Sequence, residues 1–264
     1  MPEFDDYRSL FDLAGKRALV IGAGSGIGRA GALGLGAHGA EVVCADLSEQ
    51  AAAAVAGELT EHGVEASWTS VDVADTESVV ELFDGMGGDI DVLVTTPAIN
   101  VRKRLLDVTE DEFRRVVDLN LFGTFNVVTR AGAMMVERGG GSIIVVSSIR
   151  SQVVEPGQGV YAATKAGVLQ MIRALAAELG PDGVRANALA PGVVETPLTA
   201  QIKDDDAWYR AYADKGALGR WAQPIEMAGP IVYLASDAAS FVTGSLLVVD
   251  GGWLAVDGRY VPPL

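Results

Sequence analysis

Short apolar runs alternate with helix-forming stretches along almost the whole chain, and nothing else in the sequence limits the fold as strongly. RALVIG, AEVVCAD, EASWTSVD, IDVLVTT, GSIIVVSS, RANALAP and SLLVVDGG read as strands. Between them the sequence predicts a helix from about Arg29, an alanine-rich helix over 48–62 and another before IDVLVTT. A further helix opens at the capping-box spacing of Thr109 and Glu112 and runs to about 137, and one runs from about Val160 to Gly180-Pro181. Strands that are apolar throughout and separated by helices pair in parallel, with both faces covered. The expected fold is α/β: a doubly wound parallel sheet of about seven strands with helices on both faces, forming one domain over residues 1–264. No fixed repeat, low-complexity linker or shift in composition marks a boundary. The least regular stretch, 197–219, reads as a substrate loop of coil and helix. In it, Asp204 to Asp206 form a solvated loop or a helix start. Trp208, Tyr209 and Tyr212 either cover a pocket or pack against the body or another subunit.

Composition removes several functions. Twenty basic residues against 35 acidic ones give a formal charge of −15, which a nucleic-acid backbone repels. One cysteine, Cys44, and two histidines, His38 and His62, provide neither a disulfide framework nor a metal-ligand cluster, so no metal is expected. Cys44 reads as a buried strand residue. No apolar stretch reaches the roughly 18 residues of a membrane span, and MPEFDDYRSLFD lacks the basic flank and apolar stretch of a secretory signal. The expectation is a soluble, cytoplasmic protein with no membrane partner.

Directly after the first strand, VIGAGSGIGRA places glycine at 22, 24, 26 and 28. Each costs about 0.5–1 kcal/mol relative to alanine inside an element, so something approaches the backbone closely. Gly22, Gly26 and Gly28 permit a tight turn, close approach of a pyrophosphate and close helix packing, with the following helix offering its N-terminal amides to the anion. The spacing is G-x-x-x-G-x-G. Glycine-rich turns also arise for structural reasons alone. Asp46 ends the second strand 24 residues after Gly22, where a carboxylate accepts hydrogen bonds from ribose hydroxyls and repels a 2′-phosphate. Neither Ser25 nor Leu47 supplies a compensating positive charge, so the cofactor expected is NAD rather than NADP. The competing reading makes Asp46 an ordinary turn or helix-cap residue before LSEQ.

A second constellation follows the fifth strand. Tyr161 and Lys165, four apart on a predicted helix, project from one face. An ammonium beside a phenol stabilises the phenolate and makes tyrosine a usable proton donor and acceptor. Ser148 ends the preceding strand with a hydroxyl suited to polarising a carbonyl. Asn120 interrupts the apolar VVDLNLF, where a buried amide serves either a structural contact or a water relay.

Together these residues resemble the short-chain dehydrogenase/reductase family, over about Phe11 to Trp253. The resemblance implies a Rossmann fold and a catalytic tetrad of Asn120, Ser148, Tyr161 and Lys165. It implies cofactor contacts from Gly22, Ser25, Gly26, Ile27 and Gly28, from Asp46 and Leu47, from Asp72 and Val73, and from Thr96 and Ala98. Tyr161, Lys165 and the PGVVET segment, through Pro191, Gly192, Val194 and Thr196, complete that set. One departure stands out: Thr95-Thr96-Pro97-Ala98 replaces the family's common Asn-Asn-Ala-Gly, removing a backbone donor and adding a methyl where the cofactor ribose would pass. The implied chemistry is hydride transfer between nicotinamide C4 and a carbinol or carbonyl carbon. Tyr161 exchanges the proton, Ser148 orients the oxygen, Lys165 holds the ribose and depresses the tyrosine pKa, and Asn120 links Lys165 to solvent through water. The resemblance also implies a homotetramer built partly through long helices and the final strand, with the tail LAVDGRYVPPL as a possible participant.

Fold and cofactor motif do not fix a substrate. Arg150, and Arg102 within Arg102-Lys103-Arg104, lie near the expected pocket and suit a carboxylate or polyol hydroxyls. The alternative is salt bridges to acidic surface or a neighbouring subunit. The leading expectation is an NAD-dependent dehydrogenase of a secondary alcohol, a sugar, sugar acid or polyol. A 3-oxoacyl or general carbonyl reductase is the alternative within enzymes, and a non-catalytic nicotinamide-binding regulator the alternative outside them.

Overall fold

The computed structural model describes Phe4, Tyr7 and residues 9–257. All seven expected strands form: β1 Arg17–Ile21, β2 Glu41–Asp46, β3 Ala66–Ser70, β4 Val92–Thr95, β5 Gly141–Val146, β6 Val184–Pro191 and β7 Leu246–Val249. They build one sheet in the order β3-β2-β1-β4-β5-β6-β7, every pair parallel. The order reverses between β1 and β4, and at such a switch point the loops leaving the strand ends diverge and open a crevice.

Alternation along the strands divides the core into two layers. Leu19 and Ile21 of β1, Leu93 of β4 and Ile143 and Val145 of β5 face one side. There they pack on α3 (Thr76–Gly85), α5 (Thr124–Arg138) and α6 (Gly159–Leu179). Ala18 and Val20, Val92 and Val94, and Ile144 and Val146 face the other side. They meet α1 (Gly26–Ala37), α2 (Glu49–Glu61) and α9 (Ala228–Ala235). Successive side chains of a strand point to opposite faces, so a strand covered by helices on both sides is apolar at every position. Cys44 lies in the second layer, and burial pushes its thiol up to about 12, which leaves it unreactive.

Two helix boundaries differ from the sequence reading. α1 begins at Gly26 rather than at Arg29, so the last glycines of the turn form the helix's first turn. The helix expected to run unbroken from Thr109 to 137 is α4 (Glu110–Val117), a π-helical turn over Asp118–Gly123, and then α5. The Thr109/Glu112 capping box forms as expected. Asn120 lies in the π turn, the kind of local bulge that re-aims one side chain at the expense of helix regularity.

The 197–219 stretch folds as a short 3-10 turn, α7 (Ala200–Lys203) and α8 (Asp206–Lys215). Asp205 starts α8 by accepting hydrogen bonds from the Ala207 and Trp208 amides, each 3.0 Å. A third, smaller core of Ile149, Ile202, Tyr212, Ala213, Trp221 and Trp253 seats these helices over the C-terminal edge of the sheet. The 258–264 part of the tail lies outside the described residues.

Candidate active site

A cleft of about 420 Å³ opens at that edge, bordered at one end by Asp46 and Leu47 and at the other by Tyr161, Arg102 and Tyr212. At its floor is the glycine turn. Gly22 has φ +81° and Gly26 φ +52°, left-handed conformations that side chains rarely adopt. A Cβ on Gly22 would collide with the Thr96 hydroxyl, and one on Gly26 would lie 3.2 Å from Thr196 Cγ2. Gly28 does not line the cleft. Its missing Cβ is the space taken by the Gly22 carbonyl, which lets α1 sit directly against the end of β1. Ser25 is the N-cap of α1, yet its side chain makes no capping hydrogen bond. The first amides of α1 therefore face the cleft without intrahelical acceptors.

Asp46 is a turn residue that also faces the cleft. Its carboxylate accepts from the Gly24 amide at 2.9 Å and the Ser48 amide at 3.0 Å, and it also lines the cleft. Leu47 beside it is 72% exposed and offers no charge. Asp72 and Val73 border the same end, where Asp72 accepts from the Ala74 amide at 2.9 Å. In the altered turn after β4, the Thr96 amide and hydroxyl both donate to the Ile21 carbonyl, at 3.0 and 3.2 Å. Thr96 thus ties β4 to β1, while Pro97 and Ala98 border the cleft. Pro191, Gly192, Val194 and Thr196 line the wall above β6.

Ser148, Tyr161 and Lys165 meet in the same cleft. Ser148 caps a 3-10 turn, its hydroxyl accepting from the Arg150 amide at 3.1 Å. Tyr161 and Lys165 are both buried on α6, and the Lys165 ammonium donates to the Val146 carbonyl at 2.9 Å. Burial holds the phenol above its ordinary range, and the groups opposing that rise are the Ser148 hydroxyl and the positive charges of Arg150 and Arg102. Lys165 sits 5.6 Å from the ring centroid, over the ring.

Burial also brings Lys165 down to about 8. Its unfolded value is about 10.4, so between these two values unfolding takes up a proton, and stability rises with pH across that window. Below about pH 8 the full cost of the buried ammonium is present. Lys165→Met accordingly gains most relative to wild type at pH 7 and loses more than half of that relative gain by pH 9.5. Urea midpoints at the two pH values measure this; a difference that does not change with pH would mean the ammonium is solvated.

Asn120 is fully buried and does not line the cleft. Its amide brackets Ile99, accepting from the N–H and donating to the carbonyl at 2.9 Å each, and donates to Thr164 Oγ1 at 3.1 Å. It therefore fastens the segment after β4 to α6 one residue from Lys165. Of the basic triplet, only Arg102 reaches the cleft: Lys103 pairs with Glu112 at 2.5 Å, and Arg104 precedes the Leu105–Asp107 turn. Arg150 is buried and paired with Glu155 at 2.5 Å. Of the three lid aromatics, Tyr212 alone borders the cleft. Tyr209 stacks on Trp221 with centroids 4.9 Å apart, and Trp208 lies under the Arg102 guanidinium at 5.2 Å.

Sequence reasoning missed Asn100, Glu155 and Gln158, and the hydrogen bond by which Tyr212 joins them. They come from three separate segments and carry no spacing signal; only the fold brings them together.

The left-handed turn closed to side chains, the open helix N-terminus, the acidic β2 terminus and a buried ammonium with donors to spare fit a dinucleotide laid across the switch point. Among the described residues no group of acidic, histidine and cysteine side chains could hold a metal ion, and no helix is long and apolar enough to cross a membrane. The architecture and site are those of a nucleotide-dependent oxidoreductase. The family described as Enoyl-(Acyl carrier protein) reductase matches residues 22–254. The chain is 38% identical to a 2,5-dichloro-2,5-cyclohexadiene-1,4-diol dehydrogenase of Sphingobium indicum, covering 93% of this chain and 99% of the other. It is 41% identical to a cis-4-hydroxycyclohexanecarboxylate dehydrogenase of Sinomonas cyclohexanicum, over 90% of this chain and 96% of that protein. A gluconate 5-dehydrogenase from Burkholderia cenocepacia, crystallised with NADP and tartrate, superposes with a TM-score of 0.91 at 36% identity, over 94% of this chain and 98% of that one. The chain belongs to the short-chain dehydrogenase/reductase family, NAD(P)-dependent oxidoreductases that act on CH-OH groups.

Proposed function

We propose that this protein oxidises a secondary alcohol to a ketone, or the reverse, on a sugar, sugar acid or polyol, with NAD as the preferred cofactor. The observation that carries the reading is the meeting of Ser148, Tyr161 and Lys165 in one cleft with the glycine turn and Asp46. Bound there, the nicotinamide would supply hydride acceptance and donation. Gly22, Ser25, Gly26 and Ile27 would hold the phosphates, Asp46 and Leu47 the adenosine ribose, Asp72 and Val73 the adenine. Thr96, Ala98, Pro191, Gly192, Val194 and Thr196 would flank the rest, and Gly28 would set the helix position that makes the turn work.

Tyr161 moves the proton of the substrate hydroxyl, and Ser148 holds the oxygen. Arg102, with what the Glu155 pairing leaves of the Arg150 charge, adds positive potential that favours the phenolate and the developing alkoxide. Lys165 anchors the nicotinamide ribose. Asn120 acts through position, keeping the floor beside Lys165 in place; a water link from Asn120 to Lys165 belongs to the same reading. The names of the Sinomonas and Burkholderia relatives, a hydroxy acid and a sugar acid, support the substrate class. A homotetramer in the cytoplasm accompanies the family reading.

The NAD preference rests on Asp46 and on the uncharged Leu47 at the ribose end, since the cations lining the cleft, Arg102, Arg150 and Lys165, sit at its other end. The Burkholderia relative was crystallised with NADP, so both cofactors are run against a panel of aldonates, aldoses, polyols, simple secondary alcohols and 3-hydroxyacyl thioesters. The expected result is turnover of a polyhydroxy substrate with NAD, and a shift of about tenfold or more in the NADP/NAD ratio of kcat/KM for Leu47→Arg. A wild-type preference for NADP overturns the cofactor assignment. Turnover confined to acyl thioesters overturns the substrate class.

A further inference from the structure

At the substrate end of the cleft, charge and hydrogen bonding are unevenly satisfied. Glu155 takes hydrogen bonds from Arg150 Nη2, Gln158 Nε2 and the Tyr212 hydroxyl, each at 2.5 Å. Its single negative charge lies against Arg150, so that ion pair is closed within the protein. Among the described residues Arg102 has no acidic partner within salt-bridge distance; its guanidinium lies over Trp208, and its Nε is buried with no hydrogen-bond acceptor. Asn100 spends its amide N–H on Gln158 at 2.9 Å, which leaves its buried Oδ1 without a donor. Buried polar atoms left unpaired cost stability, and both residues line the cleft, where a ligand supplies the missing partners once these side chains turn toward it. Here the missing partners are an anion for Arg102 and a hydroxyl for Asn100.

The geometry points to a hydroxy monocarboxylate as the substrate, with its carboxylate on Arg102 and a hydroxyl donating to Asn100 Oδ1, while Glu155 restricts the site to one negative charge by neutralising Arg150. This inference rests on the proposed alcohol dehydrogenase reading, but it concerns binding and is measurable without turnover. Arg102 lowers the cost of desolvating the carboxylate, and its guanidinium is held over the aromatic face of Trp208. Asn100 selects chains carrying a hydroxyl over plain carboxylic acids. Glu155 is a positioning residue: through Tyr212 it also holds the lid helix α8 against the loop before α6.

The test is titration calorimetry of the full chain, with and without NAD, using matched pairs: five- and six-carbon aldonates against the corresponding alditols, and 4-hydroxycyclohexanecarboxylate against 4-hydroxymethylcyclohexanol. In at least one pair the acid is expected to bind more tightly than its neutral partner. Arg102→Gln reduces that acid/neutral ratio by about ten- to a hundredfold, the range of a charge-assisted pair. Lys103→Gln, one residue away and paired outside the cleft, leaves it unchanged. Glu155→Gln frees Arg150 and shifts preference toward the dicarboxylate of the same chain length. Equal binding of acid and neutral partner in every pair, or discrimination that survives Arg102→Gln, overturns the inference. Failure of the enzymatic reading looks different: the acid binds through Arg102, yet no NAD or NADP is reduced.

Discussion

Tyr161→Phe lowers turnover by about 10²–10⁴-fold and leaves cofactor affinity largely intact, because the change removes one oxygen and keeps a buried ring of the same shape. On the proposed reading the phenol exchanges a proton with a substrate oxygen held by Ser148. Its pKa shapes the second half of the expected result. Burial holds it above its ordinary value, with Ser148, Arg150 and Arg102 acting against that rise. Oxidation needs the phenolate, so the wild-type rate climbs with pH through the alkaline range, and Tyr161→Phe flattens the climb. Steady-state rates from pH 7 to 10.5 with a responsive alcohol measure both effects. Activity near wild type in the variant would remove Tyr161 from the chemistry and leave the cleft as a binding site.

The parts of this reading that were legible in the sequence are those encoded locally. A parallel strand buried on both faces is apolar at every position, so β1, β2, β4 and β5 are visible as unbroken runs. Glycine where φ is positive is visible as glycine, which is why the turn at Gly22 and Gly26 could be located before the fold was known. Tyr161 and Lys165 share a helix face, so their spacing alone pairs them. Interactions between distant segments were not legible. Glu155, Gln158, Asn100 and Tyr212 meet because β4, β5 and the lid end at one edge of the sheet. The field on Tyr161 was only partly legible for the same reason: Lys165 is near in sequence, while Arg102 is brought in by the loop after β4. Asn120 was visible as a polar interruption, but its place in a π turn, exchanging hydrogen bonds with the Ile99 backbone and donating to Thr164 Oγ1, was not.

Glycine-to-alanine substitution at two helical positions is expected to give opposite results. At Gly28 the new methyl would occupy the space of the Gly22 carbonyl oxygen and approach Thr96 Oγ1 at 3.1 Å. Neither neighbour gives way easily: the carbonyl belongs to a left-handed turn, and Thr96 is tied by amide and hydroxyl to Ile21. The alternative is for α1 to move off the end of β1, against Ala32 and Leu35 packed in the second core layer. Such overpacking costs about 1–3 kcal/mol, and the displaced helix N-terminus no longer presents its amides at the cleft, so cofactor affinity falls together with the urea midpoint. At Gly57, exposed within α2, a Cβ meets nothing within 4 Å. Alanine there gains about 0.5–1 kcal/mol from helix propensity and a less flexible unfolded chain, with cofactor binding unchanged. Paired urea melts and cofactor titrations of the two variants separate a glycine kept for close packing from one that packing does not require. A Gly28→Ala protein with wild-type stability and cofactor affinity would show that the contact between α1 and β1 yields without cost, and the glycine turn would no longer explain how the helix N-terminus reaches the cleft.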